Sequence, residues 1–276
     1  MKWFYFILSH SIFIAVCAVA LAFQTDQLLH LNNNLFIYGF IFFATLCSYN
    51  FYWILSKISF VEKGSVIRLL IKETTGIYLF IFSAAALLYC LLKSALPVNF
   101  VITAILLTIL YSLPLLPFKP FRFTRRAGIL KTILLAFTWV YVTAFIPMQK
   151  AYLLLDKADL FMITQRFLYM LILCIIFDNR DKAVDKIRGM HSLATVVKPA
   201  VLTFFIFFIF AVLFISPFFY NDYGITFYQA IALQVSTLAS LTVYLYAAKK
   251  RNYLFYYFIT DGLMLFSFAA TYIASI

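Results

Sequence analysis

Three of the ten carboxylates in the chain, Asp178, Asp181 and Asp185, stand together as D-x-x-D-x-x-x-D at the end of an apolar run. On a continuing helix, steps of three and seven residues turn about 300° and 700°, so the three side chains fall within roughly 60° of one another. Three like charges on one face repel, and a divalent cation between them relieves that repulsion. Hard oxygen donors favour Mg²⁺, which takes one or two carboxylates and completes its shell with water and phosphate oxygens. The neighbouring Arg180, Lys182, Lys186 and Arg188 offer a second reading, in which the acids are neutralised by local ion pairs on a solvated turn. Both readings stand on spacing alone.

The elements that must position this cluster are membrane helices. Of the 276 residues, 65% are hydrophobic and 12% charged, against roughly 25% charged in an ordinary soluble domain. Uncharged stretches approach the roughly 20 residues that a helix needs to cross about 30 Å of hydrocarbon. Apolar runs between charged or proline-containing breaks predict about nine transmembrane helices, near 3–23, 35–55, 76–92, 98–116, 129–148, 160–177, 200–220, 225–248 and 253–274. The expected fold class is therefore all-α, a polytopic membrane bundle forming one domain over 1–276. The first run, behind Lys2, ends in the small residues Ala18, Ala20 and Ala22. It is longer than the apolar part of a signal peptide and is read as the first membrane helix.

The charge of +12 sits in short loops between apolar runs, so it is a topology signal and not a nucleic-acid-binding face. Loops after the even-numbered spans hold most Lys and Arg, while the alternate set holds only Lys93, Lys150 and Lys157. Positive loops stay in the cytoplasm, which places the amino terminus and the aspartate cluster on the cytoplasmic side. Cys17, Cys47, Cys90 and Cys174 all lie inside apolar runs without C-x-x-C spacing, and are read as small core residues.

The segment from Phe177 to Val197, FDNRDKAVDKIRGMHSLATVV, resembles the second aspartate-rich motif of the UbiA superfamily of intramembrane prenyltransferases. The resemblance extends over most of the chain: a nine-helix layout, a polar Asn50 near the end of the second span where the first motif sits, and a basic Tyr111–Arg126 segment like the loop after helix four. It implies an enzyme that holds an isoprenoid diphosphate through Mg²⁺ and transfers the prenyl group to a lipophilic membrane acceptor. Asp178, Asp181 and Asp185 would be the metal ligands. Arg122, Arg125, Arg126 and Lys131 would grip the phosphate, or equally serve as topology signals attracted to anionic lipid.

The first motif of that superfamily runs N-x-x-x-D-x-x-x-D, whereas here Asn50 is followed by Ile54 and Ile58. Half of the expected metal site is missing, and a diphosphate leaving group needs its developing charge offset by cations. Lys57, seven residues beyond Asn50 and about 20° away on a helix, offers a replacement charge, or marks the headgroup boundary of its span. A non-catalytic relative that binds prenyl lipids or quinones, and a terpene cyclase of the same fold, therefore remain alternatives. A transporter is disfavoured because Gly39 and Pro217 are isolated and do not form paired helix breaks.

Two ionisable residues fall inside expected spans, Arg166 and Asp261. Unpaired, each costs about 2.5–3.5 kcal/mol at the centre of the bilayer. They either pair as a structural clamp or sit apart around a central chamber. His10, His30 and His191 form no constellation.

Overall fold

The computed structural model describes residues 2–58, 74–112, 128–150, 154–187 and 193–276. The described residues are mostly helical, with no strand among them. In chain order the helices are α1 (Lys2–Ser9), α2 (Ile12–Leu28), α3 (Leu35–Ile58), α4 (Thr74–Ser94), α5 (Val98–Ser112), α6 (Gly128–Val140), α7 (Lys157–Ile187), the short α8 (Leu193–Val196), α9 (Pro199–Ile215), α10 (Phe227–Tyr246) and α11 (Asp261–Ile273). Wide π turns extend α6 through Tyr141–Phe145 and precede α11 at Phe255–Thr260.

Each of the nine expected segments contains helix. Five described helices are long and apolar enough to cross a membrane: α3, α4, α6 with its extension to Met148, α7 and α9. The α1–α2 pair, bent by 67° at its break, makes a sixth if it is one span. Ser11 sits at that bend with φ 64°. Within the remainder, α5 is short, α10 carries polar residues along its length, and α11 is interrupted at its π turn.

The distribution of burial identifies the centre. The most apolar stretch of α7 is 67% buried, whereas that of α4 is 11% buried although equally apolar. An apolar helix with so little protein around it needs hydrocarbon as its solvent. The same logic divides α9, where Leu202, Ile206, Ile209 and Leu213 face the core while Phe204 and Phe208 point outward. α4 is held chiefly by α3. The two approach so closely at Gly39 that a Cβ there would lie 2.8 Å from the Cys90 sulfur, so a larger residue must push the helices apart.

One end of the bundle is tied together by polar contacts. The buried Arg166 guanidinium on α7 donates through Nη1 to the Leu21 carbonyl at 2.9 Å and Thr143 Oγ1 at 3.2 Å, and through Nη2 to Gln24 Oε1 at 3.0 Å and Thr25 Oγ1 at 3.3 Å. Gln24 Nε2 passes the network to α11, donating to Ser267 Oγ at 3.0 Å and Thr271 Oγ1 at 3.2 Å. Thus α2, the π turn after α6, α7 and α11 share one set of hydrogen bonds. Nearby, Asp26 accepts from Tyr38 Oη and from Asn33 Nδ2, which also donates to the Pro147 carbonyl. Arg166 does not pair with Asp261, which lies elsewhere in the bundle; of the two expected arrangements, the structure has them apart.

Truncating Arg166 would leave Gln24 Oε1 unpaired and a void among four helical segments. Arg166→Ala is expected to destabilise the protein by about 2–4 kcal/mol, seen as a lower thermal midpoint in detergent. An unchanged midpoint would show that this network contributes no stability.

Candidate functional site

Six segments present one face each to a common cavity of about 520 Å³ whose charged mouth lies away from the Arg166 network. α7 contributes Met170, Leu173, Cys174, Phe177, Asp178 and Asp181, which follow the three- and four-residue steps of a single helical stripe. α3 contributes Tyr49, Tyr52, Trp53 and Ser56 on the same periodicity, and α6 contributes Lys131, Thr132, Leu135 and Trp139. The stretch leading into α11 adds Lys250, Arg251, Tyr253, Tyr256 and Tyr257, followed by Asp261 and Met264. Leu8, Ser11, Phe13 and Ile14, around the bend between α1 and α2, and Tyr111 on α5, whose ring stacks on that of Tyr52, complete the wall.

The lining is strongly graded. Asp178, Asp181, Arg180, Lys131, Lys250 and Arg251 belong to the helix ends and the turn before α11, whereas Met170, Leu173, Leu135, Trp139 and Met264 lie successive turns further into the bundle. A volume of this size suits a small organic ligand, and a mostly apolar wall with a few converging polar groups is the usual form of such a site. Four cationic side chains face three carboxylates across the whole cavity, a balance that favours an anionic ligand group at the charged end.

The two described aspartates of the cluster have different partners. Asp178 Oδ2 accepts from Thr132 Oγ1 at 2.5 Å, which ties α7 to α6. Asp181 is gripped by Arg180, whose Nε and Nη2 donate to its two oxygens, each at 2.7 Å. Arg180 is held in turn against aromatic faces, its guanidinium carbon 4.8 Å from the centre of the Phe177 ring and 5.0 Å from that of Tyr257. The local ion pair expected as the bland reading of the cluster is therefore present at Asp181. Asp185 lies on α7, but its side chain is outside the described residues.

Mg²⁺ needs only one or two carboxylates when a diphosphate supplies further oxygens. Asp178 and Asp181, on one stripe of α7 at the cavity wall, meet that need if Arg180 yields Asp181. Among the described residues no group of three or more His, Cys, Asp or Glu could hold a metal. The donor set among the described residues is adequate for a cation shared with a ligand.

Lys131 lines the cavity, while Arg122, Arg125 and Arg126 lie outside the described residues. Asn50 and Lys57 are not among the lining residues. The face of α3 that bears Tyr49, Trp53 and Ser56 is turned about 100° from the one they share. Asn50 instead donates to the Leu46 carbonyl at 2.8 Å and to that of His10 at 3.3 Å, joining α3 to the bend before α2. The Lys57 ammonium stands 5.8 Å from the centre of the Trp53 ring. In the sequence, Lys250 and Arg251 stand among the loop charges that signal topology, and residue type alone marks neither them nor the tyrosines as cavity residues. The i, i+3, i+4, i+7 pattern of Tyr49, Tyr52, Trp53 and Ser56 was the available signal. No protein-family model, curated protein or solved structure matches the chain.

The Arg180 grip on Asp181 competes with any cation for the same oxygens. Arg180→Gln is expected to tighten binding of Mn²⁺, a paramagnetic substitute for Mg²⁺, by about tenfold, measured by electron paramagnetic resonance of the free ion. Equal affinity in the two proteins would mean that Asp181 is not a ligand for the cation.

Proposed function

We propose that this protein is a membrane-embedded prenyltransferase that takes an isoprenoid diphosphate and transfers its prenyl group to a lipophilic acceptor. The observation that carries the reading is a single cavity that joins Asp178, Asp181, Lys131, Lys250 and Arg251 to an apolar, aromatic chamber between helices. An isoprenoid diphosphate has the same division, a compact polyanion on a hydrocarbon chain. The resemblance of the Phe177–Val197 segment to the second UbiA motif supports the same chemistry. In this reading the chain crosses the bilayer nine times with its amino terminus in the cytoplasm, and the charged end of the cavity faces the cytoplasm.

Lys131, Lys250 and Arg251 bind the diphosphate and offset charge as the C–O bond to the prenyl carbon lengthens. Mg²⁺, held by Asp178 and Asp181 together with the diphosphate, would add further positive charge on the leaving oxygens. Rings such as Tyr49 and Trp139 present electron-rich faces to the allylic carbon as it becomes positive. The surrounding apolar walls limit the access of water that would otherwise capture that carbon.

The closed Arg180–Asp181 pair, with Ile54 and Ile58 in place of the first-motif aspartates, favours a second reading, a relative that binds prenyl lipids without turning them over. The two differ in a single assay. Purified protein in lipid nanodiscs, given farnesyl or geranylgeranyl diphosphate, Mg²⁺ and membrane lipid extract, is expected to release diphosphate, and Asp181→Asn to lose at least tenfold in rate. Binding of the donors without release from either protein would select the non-catalytic reading.

A further inference from the structure

A second cavity, of about 360 Å³, opens between α7, the end of α9 and the 3₁₀ stretch Ser216–Tyr223 that follows it. Lys157, Phe161, Thr164 and Leu168 line it from α7, in the three- and four-residue steps of one helical stripe. Lys157 and Thr164 are exposed, so this is a groove on the flank of the bundle and not an internal chamber. It shares no lining residue with the first cavity.

The length of α7 places the groove in the membrane. Lys157 opens that helix and stands about 31 Å before Asp178 along it, close to the roughly 30 Å thickness of the hydrocarbon layer. The groove therefore begins at the membrane surface opposite the charged mouth of the first cavity. From Lys157 to Leu168 it descends about 16 Å, roughly half of that thickness and so the depth of a single leaflet.

The chemistry changes along that descent. At the surface end stand the Lys157 ammonium and the Tyr223 hydroxyl. The neighbouring Lys150 is taken up by Asp156 at 3.3 Å and Asp159 at 2.7 Å, whereas Lys157 makes no ion pair among the described residues. The Phe161 and Tyr223 rings stack with their centres 4.1 Å apart and form a flat wall. Gln165 Nε2 donates to Ser216 Oγ at 2.6 Å and to the Leu213 carbonyl at 3.3 Å, which closes the floor between α7 and α9 and turns these polar groups onto one another. Leu168 and Val212 line the groove as apolar residues.

We infer that this groove binds one anionic phospholipid of the leaflet opposite the charged mouth, with its phosphate at Lys157 and Tyr223 and one acyl chain laid between α7 and α9. The depth of one leaflet fits a chain anchored at the surface, and a cation without a protein counter-charge fits its phosphate. A zwitterionic headgroup would bring an ammonium in need of an anion, and no carboxylate lines the groove among the described residues. The bound chain fills the seam between α7 and α9 on the side where protein is missing. The site is defined without reference to the transferase reading.

The test uses the full chain in detergent, incubated with dioleoyl phosphatidylglycerol or dioleoyl phosphatidylcholine, with the lipid retained per chain counted by native mass spectrometry. Wild type is expected to retain the anionic lipid about fivefold better, the contribution of one lysine near an anionic headgroup. Lys157→Gln, a change at an exposed position, is expected to lose that preference, while Lys93→Gln, at another exposed lysine, keeps it. Thr164→Trp fills the groove and is expected to retain the anionic lipid no better than Lys157→Gln does; Val212→Phe fills it from α9 should the Trp variant fail to fold. Equal retention of the two lipids by wild type, a preference that survives in Lys157→Gln, an equal loss in Lys93→Gln, or undiminished retention by the filled groove would overturn the inference. A protein that releases no diphosphate but keeps a Lys157-dependent lipid preference would remove the transferase reading and leave this site standing.

Discussion

In hydrocarbon there is no water to take up a stray donor or acceptor, so every polar group must find its partner inside the protein or at the membrane surface. That constraint organises the structure. Backbone groups close on themselves in helices. The remaining polar side chains gather chiefly in two places, the network around Arg166 and the charged mouth of the cavity. Arg166 illustrates how strict the demand is: lacking a carboxylate, it is satisfied by a backbone carbonyl, an amide and two hydroxyls drawn from α2 and α6.

The helical bundle was legible in the sequence because apolar length and loop charge are properties of continuous segments. The stripe on α7 was legible for a similar reason, since helical periodicity alone places Asp178 and Asp181 on one face. What spacing could not supply was the direction in which each face points. Asn50 and Lys57 do share a face of α3, as their seven-residue separation requires, but Tyr49, Trp53 and Ser56 occupy the one that borders the cavity. Which face turns inward is decided by packing against α2 and α4, a tertiary matter. Likewise Lys250 and Arg251 look like any boundary residues until the turn that carries them is seen to close over the same space as α7. The separation of Arg166 from Asp261 was open for the same reason, because two charges buried in different helices have no sequence-local sign of whether they meet.

The cavity joins opposite demands within one wall. Its charged end needs cations and carboxylates close together, which is tolerable near the membrane surface and expensive further in. Its inner end needs apolar area. α7 reconciles the two by changing character along a single stripe, from Met170 and Leu173 to Asp178 and Asp181. Arg180 adds a local tie: stacked on Phe177 and Tyr257, it is bonded to both oxygens of Asp181 and neutralises that carboxylate.

The hydrogen bonds around Arg166 and the charged mouth of the cavity lie at different levels of the same helices, Asp178 standing about 18 Å beyond Arg166 along α7. Mechanically this resembles a clothes peg. The helices are pinned where α2, α6, α7 and α11 meet, and α7 is the long arm that runs on from that pivot to Asp178. A change of angle at these hydrogen bonds would be magnified along that arm, although none of them lies at the charged mouth.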